Sequence, residues 1–246
     1  MGERYRADFN PSKRFSMNFI VNTRSATLTV FLFFTLTLSA QTDYKMGVIF
    51  GSNYSGLRSD LFTMSSGRLS PTAGFSVTLG FGDKFELNTE IAFAQNGAIV
   101  KAVTFNPENK PSIRTYNFYY NTFEAGFYGG YQPFESIPVR LQAGGFFGAH
   151  FHKLDRTRKD LFVGDYENIV NATQVTLLNE SMAGIDFGPV LGLSAGSGRF
   201  RLNARYYYGA RNLYKNIAFA QEGPHIRTSS LRLALIYFFK DRSTWD

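Results

Sequence analysis

The stretch IRTSSLRLALIYFF, residues 226–239, decides how the rest of the chain is read. Leu231, Leu233, Leu235, Tyr237 and Phe239 recur at every second position, while Ser230, Arg232 and Ala234 take the alternate face until Ile236 and Phe238. A spacing of two is that of a strand, since a helix gathers its apolar residues three and four apart. A long strand with aromatic residues at its end and an Arg on its second face suits a closed membrane barrel, wetted by lipid outside and by a polar lumen inside.

The same alternation recurs seven times upstream. It covers about Tyr44 to Asn53, Thr72 to Phe81, Phe85 to Phe93, about Thr115 to Tyr131, Val139 to Phe151, Ile185 to Ser194 and Phe200 to Tyr208. Gly82-Asp83, Gln132 to Ser136 and Gly196-Ser197-Gly198 are short turns. The other connections are long and polar: one holds Gly56 and Ser65, one Asn106 to Pro111, one Lys153 to Glu180, and one passes through Gly223-Pro224. The expected fold is therefore all-β, an eight-stranded antiparallel transmembrane up-and-down barrel. Short turns at one end and long loops at the other are the asymmetry of outer-membrane barrels, with the short turns and both mature termini in the periplasm. Tyr116, Tyr119, Tyr120, Tyr131, Phe134, Tyr206, Tyr208 and Tyr237 lie near strand ends, where amphipathic rings favour the membrane interface.

Composition agrees. The 246 residues contain 26 Phe, 14 Tyr, 23 Gly and no Cys, which excludes disulfides, thiolate metal sites and a lipid-modified Cys. The formal charge of +7 invites a nucleic-acid reading, but part of it lies in a leader. Lys13, Arg14 and Arg24 precede the apolar run Ala26 to Leu38, and Leu38-Ser39-Ala40 offers a small residue for cleavage. Residues 1–40 thus read as a signal peptide, with Met17 as an alternative start, followed by a barrel domain at 41–239 and a periplasmic tail at 240–246. Cleavage leaves 21 Lys/Arg against 17 Asp/Glu, a net +4, and no polybasic cluster interleaved with aromatics stands out, so no nucleic-acid partner is expected.

Alternation alone does not distinguish a lipid-facing barrel from a soluble ligand-binding one. The second face carries Glu86, Glu90, Glu124 and Asp186 against Arg140, Arg201, Arg205 and Arg232, a balance of four and four. Charges enclosed in a narrow lumen must be paired, whereas a solvated outer face has no such requirement. The expectation is apolar out, polar in, with these eight side chains as a lumen network and the lumen filled rather than open.

Three motifs suggest chemistry. Gly192-Leu-Ser-Ala-Gly196 matches the serine-hydrolase elbow, but that elbow needs a helix after its turn and a strand follows here. His150 and His152 sit two apart on the inward face near the outer mouth, where a metal would need a third ligand such as Asp155 or His225. His150 with Ser194 or Glu124 can be imagined as a lipid-hydrolase set, but these residues belong to different heights or strands. The simpler reading of His150 and His152 is a polar lumen mouth, with no metal, no cofactor and no catalysis. The cluster Lys153 to Asp160 reads as a solvated loop.

The runs DFGPVLGL (186–193), GSG (196–198), FRLNARY (200–206), YGARNL (208–213) and SLRLALIYFF (230–239) resemble the PorT-like outer-membrane β-barrel family. The similarity spans roughly Lys45 to Phe239 and is strongest after Met182. It implies an eight-stranded barrel in a Gram-negative outer membrane. The founding member is needed for type IX secretion, most members have no assigned role, and the family has no catalytic motif to carry over. The expected role is a non-enzymatic scaffold embedded in outer-membrane lipid, meeting envelope or secretion-machinery proteins through its loops. A small passive channel, a lipid hydrolase and a soluble ligand-binding barrel are the alternatives.

Overall fold

A computed structural model describes residues 43–59, 65–105, 111–151, 162–163, 173–174, 183–213 and 226–241. The chain divides into two units, Met1–Gln41 and Thr42–Asp246, and the described residues all belong to the second. The first, with the expected signal peptide, lies outside the described residues.

Within the second unit ten strands are described: β1 (Asp43–Ser59), β2 (Ser65–Phe81), β3 (Phe85–Phe105), β4 (Pro111–Tyr131), β5 (Val139–Phe151), β6 (Phe162–Val163), β7 (Thr173–Gln174), β8 (Ile185–Ala195), β9 (Phe200–Tyr208) and β10 (Ile226–Asp241). Eight of them close a ring in the order β1-β2-β3-β4-β5-β8-β9-β10, each antiparallel to its neighbours, and β1 closes on β10 from Lys45↔Asp241 to Ser59↔Ile226. Closure leaves no open edge, the condition for a sheet to lie in lipid. Tight turns join the strands at one end: Gly82 and Gly198 take φ of 62° and 61° there, a conformation that glycine adopts without steric penalty.

Every barrel strand turns the faces that its alternation predicts. Phe75 is 65% exposed and Leu191 63%, while Glu90 and Arg232 are 4% exposed. An apolar exterior around a charged interior suits lipid, and a soluble ligand-binding barrel would have the reverse arrangement. The arrangement inverts towards the long-loop end. On β3 the outward row runs Ile91, Phe93, then Gln95 and the exposed Lys101, while the inward row passes from Glu90 to the buried Ala98 and Val100. On β4 the exposed Thr115 and Asn117 alternate with the buried Tyr116 and Phe118. On β1 and β10 the buried Leu57 and Ile226 alternate with the exposed Arg58 and Arg227. Outside the bilayer water wets the outer face, so apolar side chains turn inward as they do in a soluble sheet.

Two expectations need correction. β3 is 21 residues long and runs on from Phe93 to Phe105, because the inverted zone hides the alternation from a lipid-based reading, and β4, also 21 residues, starts at Pro111 rather than about Thr115. Tyr116 and Tyr120 are buried inside the barrel rather than placed in an interfacial belt, whereas Tyr119, Tyr131 and Tyr206 are exposed. In addition, the long connection after β5 contributes the β6–β7 pair, and Phe162 joins β3 at Val103. The Lys153 to Asp160 cluster lies outside the described residues.

Candidate functional site

The lumen is where this chain concentrates its buried charge. Its inward face is fixed by strand parity: Glu86 and Glu90 project from β3, Glu124 from β4, Arg140 from β5, Arg201 and Arg205 from β9, and Arg232 from β10. In the ring order β3 stands four strands from β9 either way round, and β4 four strands from β10. Side chains from these strands can therefore meet only by crossing the barrel.

They do cross. Nearest the short turns, Arg201 Nη1 lies 2.9 Å from Glu86 Oε1, and Arg140 Nε lies 3.2 Å from Glu86 Oε2. Asn88 joins this layer, donating to Glu86 Oε1 at 3.0 Å and accepting from Thr78 Oγ1 at 2.7 Å. Above it Arg205 Nη1 meets Glu90 Oε2 at 2.6 Å while Arg205 Nε donates to Gln142 Oε1 at 2.7 Å. In the third layer Arg232 Nη2 pairs with Glu124 Oε2, and Arg232 Nε donates to Asn53 Oδ1 at 2.6 Å. Asn96 extends that layer by donating to Glu124 Oε1 at 3.1 Å.

Arg205 and Arg232 are direct register partners on β9 and β10, so two buried cations stand side by side. Each is directed at its own carboxylate, and each guanidinium lies over a ring, Arg205 over Tyr128 at 4.0 Å and Arg232 over Tyr207 at 4.3 Å. The negative ring faces offset part of the repulsion. The two tyrosine hydroxyls are 3.2 Å apart, which closes the space between the layers.

Asp186 departs from the expected set. It is buried in the lumen, but among the described residues no guanidinium pairs with it; Thr228 Oγ1 donates to it and so does the Phe187 backbone N–H, the latter at 2.8 Å. The β5–β8 register explains why: Asp186 stands opposite Gly148, whereas Arg140 stands opposite Ser194 at the other end of the same pair. A balance of charges on one face does not make them neighbours. Asp186 instead ties the outer end of β8 to β10.

His150 is buried, with Nδ1 3.1 Å from Thr122 Oγ1 and its ring edge-on to Tyr120 at 4.8 Å. His152, Asp155 and His225 lie outside the described residues, and among the described residues no three of His, Cys, Asp or Glu gather as a metal set. Ser194 is buried opposite Arg140, ten residues down β5 from His150, about 34 Å at a strand rise of ~3.4 Å per residue. The hydrolase grouping of these two is excluded by register, and Gly196–Gly198 leads into β9 rather than a helix. At the short-turn end a cavity of about 360 Å³ opens among Lys45, Glu86, Arg140, Arg201 and Phe238.

Of the neutral members of the network, sequence reasoning missed Asn53 and Asn96. Asn53 sits at the end of the expected first strand and Asn96 beyond the end of the third, so neither was read as inward. The spacing of two that leads from Glu90 past the small Ala92 and Ala94 to Asn96 would have revealed the longer strand.

Among curated proteins, none matches the chain in sequence. Similar solved structures include Neisserial surface protein A at 13% identity, with a TM-score of 0.42, covering 79% of this chain and 97% of that one. Ail, the attachment invasion locus protein of Yersinia pestis, in complex with the heparin analogue sucrose octasulfate, has 10% identity, a TM-score of 0.39 and coverage of 80% and 99%. OprG from Pseudomonas aeruginosa has 10% identity, a TM-score of 0.39 and coverage of 80% and 95%. The outer membrane protein beta-barrel domain matches residues 39–215, and with that span the chain belongs to this family of integral outer-membrane barrels.

Proposed function

We propose that the protein is a sealed, non-enzymatic barrel of the PorT-like type, a scaffold whose loops or periplasmic turns contact other envelope components, secretion machinery among them. The observation that carries this reading is the set of Glu–Arg pairs linking opposite walls, Glu86–Arg201, Glu90–Arg205 and Glu124–Arg232. Eight strands enclose only enough space for side chains. Filling that space with ion pairs between facing strands makes a stiff support and leaves the two ends of the barrel as the surfaces for contact. In this reading the long-loop end faces outward and both mature termini lie in the periplasm, in keeping with the short turns beside β1 and β10.

The test is extraction of the protein from outer membranes in mild detergent, with the mass and composition of what migrates with it, alongside conductance in planar bilayers. A defined complex with envelope proteins and no steady channels is the expected result. A bare monomer that conducts would overturn the scaffold and favour the passive channel.

A further inference from the structure

The lumen shows how this chain treats adjacent arginines: Arg205 and Arg232 face each other across β9 and β10, and each has a carboxylate and a ring. A second such pair stands on the outer face. Arg58 of β1 and Arg227 of β10 are direct register partners, and both are exposed at the long-loop end of the wall. Like charges directly opposite on an antiparallel pair destabilise it. Arg227 Nη1 donates to the Tyr208 hydroxyl at 2.9 Å, but no carboxylate meets either arginine among the described residues. Every described Asp and Glu lies elsewhere: Asp43, Asp83, Glu135 and Asp241 at the short-turn end, Glu86, Glu90, Glu124 and Asp186 inside. Asp60 and Glu222, in the adjoining loops, lie outside the described residues.

The wall below the pair is graded. Counting down, the outward rows are Arg58 with Arg227, then Gly56, Ser229 and Tyr208, then Tyr54, Leu231 and Tyr206, then Ser52, Leu233 and Ala204. Gly56 leaves its place in the second row open, since a Cβ there would meet only the Gly67 backbone, at 4.0 Å. The result is a cleft of about 280 Å³ lined by Tyr54, Gly56, Arg58, Tyr206, Ser229 and Leu231. One strand away Arg68 lies over the Tyr119 ring at 4.8 Å and donates through Nη2 to Gln95; its Nη1 has no hydrogen-bond partner among the described residues.

We propose that this cleft holds a phosphorylated glycolipid of the outer leaflet, with Arg58 and Arg227 on a phosphate, the sugar on Tyr54 and Tyr206, and the acyl chains on Leu231 and Leu233. The order of chemistry down the wall, cationic, then hydroxyl and aromatic, then aliphatic, is that of such a lipid read from headgroup to chain. The site rests on the reading that the long-loop end faces outward.

The probes are bisphosphorylated lipid A, its dephosphorylated form and phosphatidylglycerol, each titrated against the full-length protein in nanodiscs of zwitterionic lipid. The phosphorylated form is expected to bind and the other two to compete poorly. Arg58→Gln with Arg227→Gln should weaken binding about thirtyfold, from roughly one phosphate attraction lost per arginine. Arg227→Glu should abolish binding while raising the unfolding midpoint in lipid-free detergent, a pair of opposite changes that misfolding cannot produce. Lys84→Gln, at the short turns, should leave binding unchanged. Unchanged binding by the double variant, equal competition by phosphatidylglycerol, or a lower lipid-free midpoint in the double variant would each overturn the site, the last by showing that a carboxylate of the protein already meets the arginines. Orientation is read separately: labelling of an Asp83→Cys variant by an impermeant maleimide in intact cells would overturn the outward reading, whatever the nanodisc result.

Discussion

Arg232 shows what a single lumen residue demands. Its guanidinium donates to Asn53 Oδ1 at 2.6 Å and to the Tyr207 hydroxyl at 3.1 Å, and it pairs with Glu124. A cation enclosed in this way is tolerated only while its counter-charge is present. Glu124→Gln keeps the shape but leaves Arg232 uncompensated, and should lower stability by about 3–5 kcal/mol. Glu124→Leu combined with Arg232→Leu removes both charges and should lose much less, because only the neutral groups of Asn53, Asn96 and Tyr207 each lose a partner. Urea unfolding in lipid vesicles measures both; equal losses in the single and double variants would mean that packing, not charge, holds this layer. The sequence showed that these residues point inward, since parity needs only the period of two. It did not show which acid meets which base: Asp186 has the right parity and the wrong height, and height depends on the register of strands far apart in the chain.

At the level of the elements, local patterns fix the turns more firmly than the strand ends. A Cβ at Gly82 or Gly198 would meet nothing within 4 Å, so substitution there is opposed by backbone conformation alone. Gly198→Ala should therefore cost about 1 kcal/mol, and Gly198→Asn less, because Asn enters the left-handed region more readily. Equal destabilisation by Ala and Asn in equilibrium unfolding would count against that account. The turn GSG and the strands beside it were legible because glycine and alternation are both local signals. The outer part of β3 was not, since hydropathy reports a strand only against a known solvent. In the bilayer the outward side chains are Phe93 and Phe123; a turn higher they are Gln95 and Asn121, joined by a hydrogen bond of 3.4 Å from Gln95 Nε2 to Asn121 Oδ1. Past that row the inward residues become the apolar ones, and a reading that expects apolar side chains outside loses the rest of β3. The same inversion explains the misplaced rings, since Tyr116 and Tyr120 lie on the inward parity with Phe118.

For the whole molecule, closure has two independent sources. The ring itself is held by backbone pairing all the way round, including the long β1–β10 seam. Charged layers also cross the lumen in series, with the Tyr128–Tyr207 hydroxyl contact between the upper two. Obstacles in series must all open before anything passes, so removing one layer weakens the barrel without making a channel. Arg205→Leu orphans the carboxylate of Glu90, whose Oε1 has no hydrogen-bond partner among the described residues even in the intact protein. The expected result is a loss of about 3–5 kcal/mol in unfolding stability, as for any broken buried pair. Conductance in planar bilayers should stay near zero, because the Glu86–Arg201 pair below and the Glu124–Arg232 pair above still bridge the walls. Large steady channels in this variant would mean that the Glu90 layer alone closes the passage. The barrel would then be a gated pore with one charged constriction, and the stiff-scaffold reading would fall with the filled lumen that supports it.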